Sequence, residues 1–198
     1  MIDKEVLNQK LEDLAFCCID FETTGPNPNK DEIIEIGAIK CKNFKLGERF
    51  TTLIQPYRKI PVRITKITGI NMDMLIDKPT IDEIRNDFLK FLEDCILVEH
   101  SKNLFDIKFL KYYFNPNKPY YYINTLELAR KLAPKIKRYN LISVAQAFDI
   151  NIEIARHHKA IDDAKLTALL LIKLLRIFKE KWDYKFSDFL KLKIIKCF

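Results

Sequence analysis

Glycine and proline are scarce in this 198-residue chain, at 4 and 8 residues. That scarcity excludes long flexible linkers and low-complexity tracts, and no internal repeat is visible. Cysteine occurs at Cys17, Cys18, Cys41, Cys95 and Cys197, never as a Cys-x-x-Cys pair, so no structural zinc site is expected. Several of these cysteines lie in apolar runs and read as small core residues, which fits a reducing, cytoplasmic setting. Long apolar runs are missing as well. The most apolar stretch, Leu166 to Ile177, is interrupted by Lys173 and Arg176 and falls short of the ~20 residues that span a bilayer. It reads as a buried helix, and no membrane association is expected. Met1 to Asp13 is charged and helix-like, without the apolar core and cleavage site of a signal peptide.

What is present is a balanced globular composition, 48% hydrophobic and 31% charged, enough for one α/β domain with a sizeable core. The net charge of +7 fits contact with a polyanion; a composition biased towards Ile, Lys and Asn would produce the same excess. Residues 1–179 read as one domain. Residues 180–198 differ: Trp182, Tyr184, Phe186, Phe189 and Leu190 stand among lysines. This tail reads either as a terminal helix packed on the domain or as a docking segment for a partner.

A first helix is expected over Asp3 to Leu14. Ala15 to Phe21 is a short apolar run ended by Thr24-Gly25-Pro26 and reads as a central strand. Strands over Glu32 to Lys42 and Glu48 to Gln55 would continue it as an antiparallel meander. Residues 56–79 read as irregular, punctuated by Pro56, Pro61, Gly69 and Pro79. Thr80 and Glu83 have capping-box spacing, and Ile81, Ile84, Phe88, Phe91 and Leu92 follow at helical period. Cys95 to Glu99 reads as a buried strand, and Asp106 to Phe114, Thr125 to Leu132, Leu141 to Phe148 and Ala160 to about Lys181 read as helices. Strands in a meander, then strands alternating with helices, predict an α/β fold with a mixed sheet flanked by helices.

Asp20 and Glu22 are two residues apart on the first strand, so their carboxylates share a face. Two acids at the end of a buried strand repel and lose hydration, and a divalent cation relieves both. Taken alone, such a pair is also common on protein surfaces. Asp106 opens a helix, where the helix dipole favours an acid in any case. His158 and Asp163 are five apart, as are His157 and Asp162. Either pair converges on one site only if the histidine lies in the loop before the helix, since five helical residues turn through roughly 140°. Four carboxylates from separate segments can hold two Mg²⁺ or Mn²⁺ ions about 3.5–4 Å apart, the arrangement that hydrolyses phosphodiesters.

Local sequence around these acids resembles the DEDD exonuclease superfamily, in its histidine-containing (DEDDh) 3′→5′ subgroup, over about Ala15 to Leu175. The first motif reads Ile19-Asp-Phe-Glu-Thr-Thr-Gly25, followed by Asp31-Glu-Ile-Ile-Glu-Ile-Gly37. Ile67-Thr-Gly-Ile70 resembles the segment beside the terminal nucleotide. The second motif is Val98-Glu-His-Ser-Lys-Asn-Leu-Phe-Asp106 and the third His158-Lys-Ala-Ile-Asp-Asp163-Ala. The pattern is similar to epsilon-type proofreading exonucleases of bacterial DNA polymerase III. The family places Ala two residues after its histidine and just after its aspartate; Ala160 and Ala164 fit His158 with Asp163 and not the neighbouring register. Two departures stand out. Asp106 follows His100 by six residues where the family has five, with Ser101 in place of the usual Asn. The family's Asp-Thr-Leu appears as Asn124-Thr-Leu126.

The resemblance implies a ribonuclease H-like fold and a site in which Asp20, Glu22, Asp106 and Asp163 serve two divalent cations, Mg²⁺ or Mn²⁺. Asp106 would act mainly through bound water and His158 as the general base. Thr23, Thr24 and Thr68 would meet the terminal nucleotide. The expected substrate is the 3′ end of single-stranded DNA and the product a 5′-mononucleotide; the enzyme is expected to be either a proofreader, with a replicative DNA polymerase subunit as partner through the tail, or a free-standing repair enzyme. RNA is the alternative substrate within the family. A non-catalytic nucleic-acid-binding or scaffolding subunit, or a plain α/β domain with coincidental acids, are the readings from other classes.

Overall fold

A computed structural model describes residues 8–117, 120–152, 159–181, 187 and 195–197. The first strand, β1 (Phe16–Thr23), is buried on both faces for most of its length. It pairs antiparallel with β2 (Ile33–Lys42), which pairs antiparallel with β3 (Lys45–Leu53). On its other side β1 runs parallel to β4 (Ile96–Glu99), and β4 runs parallel to β5 (Tyr121–Asn124). A short β6 (Ile195–Cys197) pairs antiparallel with β5. The sheet order is β3-β2-β1-β4-β5-β6, the mixed sheet expected from the sequence.

Six α-helices are described: α1 (Val62–Thr68), α2 (Ile81–Phe91), α3 (Phe105–Phe114), α4 (Thr125–Leu132), α5 (Leu141–Ala147) and α6 (Ala160–Lys181). They cover both faces of the sheet. Alternation along β1 sorts its side chains. Phe16 and Cys18 join a cluster with Leu171, Leu174 and Phe178 of α6. Cys17, Ile19 and Phe21 join the opposite cluster, with Phe88 of α2 and Phe109 and Phe114 of α3. Phe21 lies 6.0 Å from the Phe88 ring and 6.4 Å from the Phe114 ring, the core role its alternation assigns. Asp20 and Glu22 therefore continue the Phe16–Cys18 line, on the face that α6 covers.

Local chemistry explains the element ends. At α2, Thr80 Oγ1 accepts from the Glu83 amide and the Glu83 carboxylate accepts from the Thr80 amide, a complete capping box. Gly69 ends α1 in the left-handed region at φ 75°, a conformation open to glycine without strain.

The structure corrects four expectations. Residues 9–14 form bends, turns and a single bridge position rather than the end of a helix, with the Asp13 amide donating to the Lys10 carbonyl. The stretch 56–79, expected to be irregular, contains α1 and a 3₁₀ turn over Met72–Met74. Tyr121–Asn124 is a strand that no sequence pattern announced. In the tail, read as a terminal helix or a docking segment, Ile195–Cys197 is a strand rather than part of a helix; residues 182–186, 188–194 and 198 lie outside the described part. The cysteines behave as expected, with Cys17, Cys18, Cys41 and Cys95 buried as free thiols and Cys197 exposed. No described helix is long and apolar enough to cross a membrane.

Candidate active site

The acid cluster forms where β1 outruns its parallel neighbour. Pairing of β1 with β4 ends at Cys18 and Val98, leaving the next β1 amides on that side without a ladder partner. A buried amide must find another acceptor. The Phe21 amide donates to Asp106 Oδ1 at 2.9 Å, so the helix-opening acid binds the backbone between Asp20 and Glu22. Asp106 itself is only 4% exposed.

Asp163 arrives from the other layer, in the first turn of α6. Two features of β2 seat that helix. Glu35, opposite Glu22 in the β1–β2 register, accepts the Ala160 amide on its carboxylate at 3.1 Å, which satisfies one of the first free N–H groups of α6. Gly37, opposite Asp20, leaves the space that the helix backbone occupies. A Cβ on Gly37 would fall 2.1 Å from the Ala160 carbonyl carbon. The β1–β2 register also shifts between Glu22 and Thr23. Beside this irregularity Ile33 and Ile34 lie in different apolar clusters.

As a result, one oxygen each from Asp20, Glu22 and Asp163 lie within 4.8 Å of one another. The electrostatics are those of crowded, poorly hydrated acids. Burial raises the Asp20 carboxyl well above its ordinary value, and Asp106, Asp163 and Glu22 push it further. Burial, then Glu35 and Asp163, raise Glu22 to about 8. Asp106 is raised by burial and by Glu99, against the lowering effect of the Phe21 amide. An all-oxygen donor set with this much uncompensated repulsion fits a hard divalent cation.

The remaining site residues fall into three groups. Thr23 and Thr68 line a cleft of about 330 Å³ with Phe21, Glu22, Ile64, Ile67 and Phe105. Within it, Thr23 Oγ1 donates to the Gly25 carbonyl and Thr68 Oγ1 to the Ile64 carbonyl. Thr24 is turned to structural use: its hydroxyl accepts the Glu32 amide at 2.9 Å, and it does not line that cleft. His158, with His157, lies in residues 153–158, outside the described part.

Glu99 is a residue that sequence reasoning missed. It is fully buried, and its carboxylate accepts from Ser101 Oγ, the Asp106 amide and Asn124 Nδ2. Glu99 thus caps α3 and fixes the turn that delivers Asp106. Burial lifts it to about 7, against the donors that favour the charged form. Its signal was an acid at the end of an otherwise apolar strand. The extra residue after His100 is accommodated by Asn103 and Leu104, both at positive φ. His100 is held between Thr125 Oγ1 at 2.9 Å and the Tyr139 carbonyl at 3.0 Å.

A mixed sheet with helices on both faces, and carboxylates converging at the strand end beside a cleft, fit the kind of site that metal-dependent nucleases use. The chain belongs to the RNase T-type exonuclease family, whose model matches residues 17–171. It is 40% identical over 187 residues to the PolC-type DNA polymerase III of Thermotoga maritima, covering 91% of this chain but 13% of that protein. With the DNA polymerase III subunit epsilon of Aquifex aeolicus it shares 38% identity over 192 residues, 94% of this chain and 92% of the relative. Among solved structures, exonuclease X in complex with 5′ overhanging duplex DNA superposes with a TM-score of 0.68 at 26% identity, over 87% of this chain and 98% of that one. The nuclease domain of 3′hExo, a DEDDh family member bound to rAMP, gives a TM-score of 0.72 at 17% identity, over 89% and 98%, which establishes shared fold.

Proposed function

We propose that this chain is a metal-dependent 3′→5′ exonuclease that releases 5′-mononucleotides from DNA 3′ ends, in proofreading or repair during replication in the cytoplasm. The observation that carries the proposal is the meeting of Asp20, Glu22 and Asp163 within 4.8 Å, with Asp106 bound to the strand between the first two. These acids would hold two divalent cations, Mg²⁺ or Mn²⁺. When bound, the cations offset charge on the phosphate and on the leaving 3′ oxygen.

The chain's own groups do the rest. The cleft beside Glu22 takes the terminal nucleotide, its sugar and base against Phe105, Ile64 and Ile67 and its polar edge towards Thr23 and Thr68. His158 takes the proton of the attacking water, a task suited to an imidazole titrating near neutral pH. Asp106 acts through bound water while its Oδ1 holds the Phe21 amide. The aromatic and lysine-rich segment 180–198 is the part proposed to dock on a polymerase subunit.

Product analysis tests this reading. Single-stranded DNA, a mismatched duplex and RNA are incubated with Mg²⁺, Mn²⁺ or EDTA. Stepwise loss of 5′-mononucleotides from DNA 3′ ends, abolished by EDTA, is expected. Absence of digestion of all three with metal would sink the proposal, and preference for RNA would reassign the substrate.

A further inference from the structure

A second concavity opens around His100, just past the end of β4. It has a volume of about 570 Å³ and is lined by Lys102, Arg130, Lys137 and Arg138, with His100 and Tyr139 among its remaining walls. Four cations and no acid line it, in a chain whose totals are 34 basic and 27 acidic side chains. The ion pairs found among the described residues engage Lys40, Arg85 and Lys179 instead. All four cations of the pocket are exposed, and hence open to a ligand.

The pocket is also built. Lys102 comes from the turn after β4 and Arg130 from α4, while Lys137 and Arg138 precede α5. The Arg130 guanidinium sits 5.4 Å from the centre of the Tyr139 ring. His100 ties the Tyr139 carbonyl to Thr125 at the start of α4. The β1–β4 register, with Cys18 opposite Val98, brings His100 to the sheet end that carries Asp20 and Glu22. A nucleic acid with its 3′ end at the acids needs positive charge nearby for the phosphates that are not being cut, since the acids themselves repel them.

We propose that this pocket binds backbone phosphates of the polynucleotide whose 3′ end occupies the acid cluster. The proposal rests on the nuclease reading above and adds a subsite to it. The forked guanidiniums suit bidentate phosphate contacts and the lysines act as point charges.

Full-length protein is assayed in EDTA, so that nothing is cut, by anisotropy with a labelled 16-nucleotide single strand and with a hairpin bearing a recessed 3′ end, over a range of salt. Two double variants are used, Arg130→Gln with Arg138→Gln and Lys102→Gln with Lys137→Gln; the second leaves the Tyr139 stacking intact. Each is expected to weaken binding of at least one ligand by about 3–30-fold and to reduce the salt slope by ~0.7 for every single-strand phosphate that is no longer neutralised. Hydrolysis of the p-nitrophenyl ester of thymidine 5′-monophosphate with Mg²⁺, which has no further phosphate, should stay at the wild-type rate. Lys173→Gln with Arg176→Gln removes equal charge from α6 outside this pocket and should leave binding unchanged. Wild-type affinity and slope in both pocket variants would overturn the proposal, as would an equal loss in the α6 variant. If only affinity for thymidine 5′-monophosphate falls, the pocket holds a free nucleotide and the polynucleotide assignment is wrong. A wild type that cleaves neither the ester nor any oligonucleotide overturns the exonuclease reading instead, while binding in EDTA still decides the pocket.

Discussion

Replacing Gly37 with alanine tests how the site is held together. Gly37 has no backbone conformation that alanine would resist, since the one glycine at positive φ is Gly69. Its importance is the space above it. The added methyl would stand 2.1 Å from the Ala160 carbonyl carbon, 2.3 Å from its oxygen and 2.3 Å from the Ile161 nitrogen. These are backbone atoms, which no rotamer change can clear. The start of α6 must lift by more than ~1 Å to restore ordinary carbon–carbon contact, and Asp163 is one turn away. Overpacking of this kind costs about 1–3 kcal/mol, a fall in Tm of roughly 2–12 °C in a chain of this size. The functional loss should be larger in proportion. Misplacing a reacting constellation by about 1 Å reduces the rate on the order of 10²-fold, and the metal-induced rise in Tm should shrink with it. Gly47→Ala is the matched control, because its nearest neighbour would be the Lys40 carbonyl oxygen at 3.4 Å. Hydrolysis of a labelled oligonucleotide, measured below the Tm of each variant, gives the rates. A folded Gly37→Ala protein with wild-type rate and metal response would refute this account of how α6 is positioned.

Asp20→Asn should abolish hydrolysis yet raise the Tm of metal-free protein by ~2–4 °C, corresponding to about 1 kcal/mol, because it removes a charge that burial and the nearby acids disfavour; a lower metal-free Tm would contradict the repulsion argument. His158→Ala should cost on the order of 10²–10⁴ in rate with His157→Ala near wild type, and the opposite ranking in the same oligonucleotide assay would move the general base to the neighbouring histidine. His100 is held at about 4, below its ordinary 6.5, chiefly by burial. The unfolded chain then binds the extra proton first, so this contribution to stability is complete above pH 6.5 and is lost as pH falls towards 4, by at most about 3 kcal/mol. Denaturant melts of wild type and His100→Gln should show the wild type losing more stability on acidification across that window, and parallel curves would refute it.

Much of the site could be read from the chain because its chemistry is written locally. Asp20 and Glu22 share a face through strand alternation alone, and Thr80 with Glu83 announces the start of α2. What stayed hidden depends on residues distant in sequence. Glu35 seats a helix whose first amide is 125 positions away, and no local pattern connects a strand glutamate to that task. Glu99 looked like the end of a strand until Asn124, Ser101 and Asp106 were found around it. The helix α1 was missed for a different reason. Val62, Ile64, Thr65, Ile67 and Thr68 are β-branched and poor helix formers, and only the Pro61 and Gly69 boundaries hint at it. Tyr121–Asn124 is too short to carry a period and becomes a strand by pairing with β4. The left-handed pair Asn103 and Leu104 absorbs the inserted residue, so Asp106 reaches the site despite the longer loop.

The strand at Ile195–Cys197 bears on how the tail should be studied. It occupies the outer edge of the sheet and pairs with Tyr121, Tyr122 and Ile123. Deleting everything after Lys181 would therefore strip β5 of a hydrogen-bonding neighbour and leave an apolar edge open to self-association. A truncated protein that loses a polymerase partner could have lost it through aggregation, so point changes at Trp182, Phe186 or Phe189 are the sounder way to ask what the segment binds.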